Sequence, residues 1–233
     1  MSKRGNIRLS KRLEALAEMA AWVKGGGGFA DIGCDHGLLC ASLIQRGIFS
    51  RAVASDINPG PLRAAAETFR RFGLSDYIDL RLGGGLTVLS PGEVSVCAVA
   101  GMGGMSIISI LSASPEVAGS LRQLILSPER DHEALRRYLH AAGFYISRET
   151  LTPENGHFYA AIDARPGTEP AYTDAGYRFG ARLLESKDAG LLILLKREEA
   201  KIKKLISGFQ KKSPPAALIK SYETVQAALD NFN

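Results

Sequence analysis

Phe29-Ala30-Asp31-Ile32-Gly33-Cys34-Asp35-His36-Gly37 is the stretch whose residue types could do chemistry. An apolar segment runs into a turn marked by Gly33 and Gly37, and then into a helical pattern from Leu38 to Gln45. Glycine takes backbone angles closed to other residues and lets a ligand lie against the main chain. The amides that open a helix have no partner within it, so such a turn suits an anion or a carboxylate. A second apolar segment, 51–56, ends in Asp56. A carboxylate at the end of a second strand, about 20 residues past a glycine turn, can hold both hydroxyls of a ribose. The spacing Asp-x-Gly-x-x-x-Gly is not the Gly-x-Gly-x-x-Gly of a dinucleotide-binding turn. Asp31 and Asp56 could also serve only as turn caps, and His36 could cap the helix or pack on the turn.

These groups need a frame, and hydrophobic periodicity supplies one. Leu9, Leu13, Leu16, Ala20 and Val23 recur at helical spacing, with Ser10 placed to cap the start and the glycines at 25–28 to end the helix. Arg8, Lys11 and Arg12 crowd its beginning. The helix reads as a lid on a sheet, compatible with a role as a substrate arm. Strands are expected at 51–56, 78–82, 94–100 and 123–126, with helices at 62–72, 105–112 and 131–142. Gly83-Gly84-Gly85 follows the third strand, and Gly101-Met102-Gly103-Gly104 follows the fourth. The nearly all-apolar run 94–100 suits a central parallel strand buried on both faces. Strands at 144–151 and 157–164 flank Asn155-Gly156, the strongest short hairpin signal.

The expected class is therefore α/β: a mostly parallel Rossmann-like sheet with a terminal antiparallel hairpin, over residues 1–164. Residues 165–175 read as a linker. Leu191, Leu195, Ile202, Leu205 and Phe209, interrupted by Glu198, form one apolar stripe, and Leu218, Tyr222, Val225, Leu229 and Phe232 form another. Ser213-Pro214-Pro215 separates them, so 176–233 should hold an antiparallel helical hairpin.

The composition is that of a soluble globular chain, 45% hydrophobic and 23% charged. Neither a membrane-spanning run nor a signal-peptide core is apparent. Cys34, Cys40 and Cys97 have no metal-type spacing and read as reduced thiols of a cytoplasmic protein; no metal is expected. The net charge of +5 is unevenly spread: residues 1–24 hold six Lys and Arg against two acids, and residues 185–233 hold nine against six. Basic ends on a near-neutral body fit a polyanion, though such helices can also be merely solvated.

Taken together these residues resemble the bacterial tRNA (adenine(22)-N1)-methyltransferases, a class I S-adenosylmethionine-dependent family. The resemblance rests on Leu9-Ser10-Lys11-Arg12-Leu13, on Ala30 to His36, on Ala100-Gly101-Met102-Gly103-Gly104, and on Glu154-Asn155-Gly156 followed by Tyr159. It implies that Asp31, Gly33, Cys34, Asp35, His36 and Gly37 surround the methionine part of S-adenosylmethionine. Asp56 would take the ribose, Ile57 would lie beside the adenine, Gly83 and Gly84 would pass close to the base, and Ala100 would help line the pocket. Gly101, Met102 and Gly103 would meet the methyl group and the target adenine.

Arg8, Lys11, Arg12, Lys196, Arg197, Lys201, Lys203 and Lys204, with Lys211 and Lys212, are the expected tRNA contacts, and a monomer or weak dimer is expected. Two positions depart from the family pattern. Gly84 stands where an Asp usually meets the cofactor's adenine, and Ser127-Pro128-Glu129 replaces Gln-Pro-Asn. Glu129 is expected to cap the following helix, and Tyr159 to be a strand core residue. A non-catalytic RNA-binding relative and a small-molecule methyltransferase are the alternatives.

Overall fold

In this computed structural model, which describes residues 5–23, 27–209 and 213–233, Ser10 opens the first helix as expected. Its hydroxyl accepts the Leu13 N–H at 3.3 Å, and α1 runs Lys11–Ala20. There follow β1 (Phe29–Ile32), α2 (Leu38–Gln45), β2 (Ala52–Asp56), α3 (Pro59–Phe72), β3 (Ile78–Leu82) and β4 (Val96–Met102). Then come α4 (Gly104–Ser112), α5 (Pro115–Ser120), β5 (Gln123–Pro128), α6 (His132–Ala141), β6 (Phe144–Glu154) and β7 (His157–Pro166). Among the described residues the strands form one seven-stranded sheet in the order β3-β2-β1-β4-β5-β7-β6. The first five are mutually parallel, and β7 runs antiparallel to both β5 and β6.

Alternation along the central strands assigns their side chains to two cores. Phe29, Ala54, Val96, Ala98 and Ile125 pack under α1, α2 and α3. Ala30, Ile32, Cys97, Val99 and Leu126 pack under α4, α5 and α6. Covering both faces is what parallel strands require, and it leaves their carboxyl ends as the open edge where ligands bind in such sheets. The three cysteines are buried and unpaired.

Several expectations need correction. α3 begins at Pro59, because proline is pre-organised for the first helical turn. β4 continues past Ala100 to Met102 through a bulge, with Gly101 at φ 73°. Between α4 and β5, where no element was expected, lies α5. The linker is shorter than read: β7 reaches Pro166, and a wide helical turn, Gly176–Gly180, leads into α7 (Ala181–Glu185).

The C-terminal helices α8 (Ala189–Ser207) and α9 (Ala216–Asp230) pair through Leu191, Leu195, Ile202, Val225 and Ala228. Leu205, expected in the stripe, is exposed, and Ile206 packs in its place. Lys211 and Lys212 lie outside the described residues. Among the described residues, no helix is long and apolar enough to cross a membrane, and no cluster of His, Cys, Asp and Glu could hold a metal ion.

Candidate active site

The carboxyl ends of β1, β2 and β4 open onto two adjoining cavities that share Gly33, Ala100 and Gly101. The larger, about 820 Å³, is lined by Asp56 and Ile57 after β2, by Gly83, Gly84 and Gly85 after β3, and by Met102. The smaller, about 270 Å³, holds Asp31, Cys34, Asp35 and His36, with Arg12 and Leu13 of α1 and Glu129 after β5. The structure thus brings together most of the residues picked out by motif.

The glycines of the turn divide by role. Gly33 has φ 75°, and a side chain there would meet only the Met102 methyl at 3.2 Å, so its backbone is the cleft floor. Gly37 is not part of the lining. A Cβ on it would collide with the Phe69 ring at 2.5 Å, so this glycine exists to let α2 pack on α3. Gly103 is likewise outside, with a would-be Cβ 2.9 Å from Arg130 Nε. Gly104 lies against the main chain of Arg130 and Asp131 and donates to the Arg130 carbonyl at 2.9 Å. The run after β4 therefore fastens the β4 and β5 loops together, leaving Gly101 and Met102 facing the cavities.

Electrostatics single out Asp31. It is buried, and among the described residues its carboxyl accepts no hydrogen bond. Burial, and then the Asp35 and Asp56 carboxylates, push it up to about 7. Burial also raises the Cys34 thiol to about 12, so Cys34 is a neutral wall of the cavity and no nucleophile. Asp35, at φ 48°, and His36 stand largely exposed at the mouth, 3.6 Å apart. Asp56 Oδ1 accepts the Asn58 N–H at 2.9 Å, a turn cap that leaves the second oxygen to the cavity.

Two residues do other than expected. Glu129 does not cap α6, whose capping residue is Asp131. It sits on the smaller cavity, 3.9 Å from Arg12. Tyr159 is half-buried, and the Arg12 guanidinium lies 5.1 Å from its ring centre. Sequence patterns also passed over Thr87 and the α4 residues Met105, Ser106, Ser109 and Ile110, which close the larger cavity. The three- and four-residue spacing of that α4 set was a usable signal.

A glycine-turn sheet with this two-part cleft defines a methyltransferase domain, and a family model described as a methyltransferase domain matches residues 9–162. The tRNA (adenine(22)-N(1))-methyltransferase of Bacillus subtilis (strain 168) is 32% identical over 191 residues, covering 80% of this chain and 79% of its own. A solved structure of Streptococcus pneumoniae Sp1610, a putative tRNA (m1A22) methyltransferase in complex with S-adenosyl-L-methionine, is 29% identical. It superposes with a TM-score of 0.85, over 95% of this chain and all of that one. The B. subtilis M1A22 tRNA methyltransferase TrmK gives 27% identity, a TM-score of 0.82 and 97% coverage of both chains. The chain belongs to the tRNA (adenine(22)-N1)-methyltransferase family.

Proposed function

We infer that this protein transfers a methyl group from S-adenosylmethionine to N1 of an adenine in tRNA, the adenine at position 22. The observation that carries the reading is the two-part cleft at the strand ends, which pairs a buried carboxyl at Asp31, without an ion-pair partner among the described residues, with a strand-end carboxylate at Asp56. An ammonium suits the first and a ribose diol the second, so the residues present fit the cofactor. Asp31, Gly33, Cys34, Asp35 and His36 would hold its amino-acid end, with Asp56, Ile57, Gly83, Gly84 and Ala100 along the nucleoside. Bound there, S-adenosylmethionine supplies an electrophilic methyl group.

Adenine N1 carries a lone pair and no proton, so the protein needs no general base and serves chiefly to align the ring. Gly101 and Met102 form that wall of the cleft. Glu129 offers a carboxylate to the positive charge that develops on the ring. N1 lies on the pairing edge, so the base must enter unpaired. Incubation with labelled S-adenosylmethionine and unmodified tRNA, followed by mapping of the modified nucleoside, tests the assignment. Label at any site but adenine N1 overturns it.

Asp56→Ala is expected to weaken cofactor binding by roughly 1.5–3 kcal/mol. An unchanged dissociation constant in calorimetry would remove Asp56 from the ribose. Gly84→Asp restores a carboxylate at the adenine. A Cβ there lies 3.3 Å from Ile57 Cγ2, and exposed Ile57 can yield, whereas at Gly83 it would strike Val88 at 2.5 Å. Binding should tighten by about 1 kcal/mol; weaker binding would show that another group fills the space.

Residues 176–233 are read as an RNA-gripping extension. Exposed Lys196, Arg197, Lys201 and Lys204 project from α8, while Lys203 is engaged by Glu199 at 2.6 Å. Arg197 and Lys201 border a cavity whose other walls include His132 and Phe158, at the catalytic end of the sheet. Arg8 and Lys11 add exposed cations on the N-terminal side. Replacing Lys196, Arg197, Lys201 and Lys204 by alanine should lower the salt slope of tRNA binding by roughly 0.7–0.9 for each phosphate no longer neutralised, with cofactor affinity unchanged. An unaltered slope across a salt series would take the grip away from α8.

A further inference from the structure

We propose that the cavity between the sheet and the C-terminal helices receives one unpaired tRNA base other than the target adenine, with its phosphate on Arg197 and Lys201. The inference rests on the tRNA reading above. It adds a base-binding pocket to what is there a grip on phosphates alone.

The cavity holds about 590 Å³ and has apolar walls: Leu151 and Phe158 of the β6–β7 hairpin, Phe179, and Leu194 and Leu205 of α8. Leu205 is an exposed apolar side chain, although it faces this space. Phe158 reaches its position because Gly190 stands in the first turn of α8, where a Cβ would lie 2.9 Å from the ring. Glycine there lets the ring edge lie against the helix.

The charges around these walls leave a definite remainder. Arg136 is paired with Glu149, and Arg178 with Glu198, while Arg178 Nη1 also donates to Ser221 Oγ at 2.9 Å. Burial and the nearby Arg136 lower the His132 pKa, so its ring is uncharged at neutral pH. Glu199 accepts from Lys203 and Gln226. Arg197 and Lys201 are left exposed, with no acidic partner among the described residues. They stand four residues apart on one face of α8, a like-charge spacing that works against the helix until an anion offsets it. Apolar walls beside two uncompensated cations match the two halves of a nucleotide, a base to stack and a phosphate to neutralise.

The position suits an RNA strand that already enters the cleft. Ala160, another wall of this cavity, accepts from the Ser127 hydroxyl at 2.8 Å, and Glu129, two residues further on, lines the smaller cavity of the cleft. Phe158 and Tyr159 are successive on β7 and so point to opposite faces, the first to this cavity and the second to Arg12. A single strand therefore separates the two spaces. The target adenine must leave its stack to react, and capture of a second unpaired base holds the RNA open beside it.

The test is a double-mutant cycle between protein and RNA. Intact tRNA, and tRNAs each carrying one abasic nucleotide at an unpaired position other than the methylated adenine, are titrated against the full-length wild-type protein, Leu205→Asp and Phe158→Leu. One abasic position is expected to weaken wild-type binding roughly 5- to 150-fold, as for the loss of one stacked base. Each variant should bind intact tRNA more weakly, and that same abasic position should then cost little more. Leu205 is exposed, so its replacement leaves the fold and S-adenosylmethionine affinity unchanged. Phe158→Leu should leave the salt slope of tRNA binding unchanged, because no phosphate contact is lost.

Wild-type affinity that no abasic position lowers overturns the proposal without recourse to any variant. So does an abasic loss that persists at full size in both variants, or variants that bind intact tRNA as tightly as wild type. A wild-type protein that does not bind intact tRNA overturns the tRNA reading itself, a result distinct from these.

Discussion

Replacing Asp31 by asparagine is expected to make the ligand-free protein more stable while loosening its hold on the cofactor. The carboxyl titrates near 7 when folded, against 3.8 when free, because burial and two neighbouring acids disfavour its charge. That difference corresponds to about 4 kcal/mol against the ionised form. The sign follows from proton counting. Between about pH 4 and pH 7 the folded protein holds a proton at Asp31 that the unfolded chain has released, so this residue lowers stability as pH rises through that window.

Below the window wild-type and Asp31→Asn proteins should melt alike. Above it the variant should gain up to about 4 kcal/mol. Thermal melts from pH 4 to pH 8 measure the gap, and a gap that stays constant would mean Asp31 is not the titrating group. Calorimetry on the same variant should show weaker binding of S-adenosylmethionine, since a neutral amide cannot pair with an ammonium.

Glu149→Ala should act on stability alone and in the opposite direction. Arg136 and Glu149 are buried together, with Arg136 Nε donating to Glu149 Oε1 at 2.7 Å. Arg136 Nη1 donates onward to the carbonyls of Tyr177 at 2.9 Å and Arg178 at 3.1 Å. The pair thus joins α6 and β6 to the helical turn that leads into the C-terminal helices. Gly180, at φ 101°, leaves room for it; a Cβ there would sit 2.7 Å from Glu149 Oε2.

Removing one partner strands a buried charge, at a cost of about 3–5 kcal/mol, so melting should fall by about 10 °C. The double replacement Arg136→Met with Glu149→Leu should recover most of the loss, because apolar residues of similar volume can substitute for a buried pair. A double variant as unstable as Glu149→Ala would show that the charge was not the cause.

Where local chemistry decides conformation, the sequence was readable. Ser10 caps α1, Gly73 closes α3 at φ 64°, and Asn155-Gly156 turns the hairpin with φ values of 49° and 79°. The segment 176–185 was not readable, because what holds it is Arg136, some forty residues earlier in the chain. Leu205 and Ile206 both continue a helical stripe from Ile202, and only packing against the partner helix chooses the second.

The site shows the same division. Motif spacing found the turn and Asp56, yet it could not tell a glycine that admits a ligand from one that admits Phe69, as at Gly37. Charge counting grouped Arg12 with Arg8 and Lys11, since a count has no direction. Glu129 was read as a cap by its position before α6, whereas the β4 and β5 loops turn it to the cavity.

The β6–β7 hairpin touches the chain near both ends. At its tip Glu154 holds the start of α1, and Tyr159 supports Arg12. Beside them Leu151 and Phe158 form a cavity wall with Arg197 and Lys201 of α8. One ribbon therefore braces both α1, which borders the smaller cavity, and α8, whose exposed cations are read as the RNA grip. If tRNA binding at α8 shifts that ribbon, the cofactor site beside α1 shifts with it, and thermodynamic reciprocity then requires that the factor by which tRNA changes cofactor affinity equal the factor by which cofactor changes tRNA affinity. Order of loading and release of the demethylated cofactor would then be set in part by a hairpin that lies outside the cleft at the strand ends.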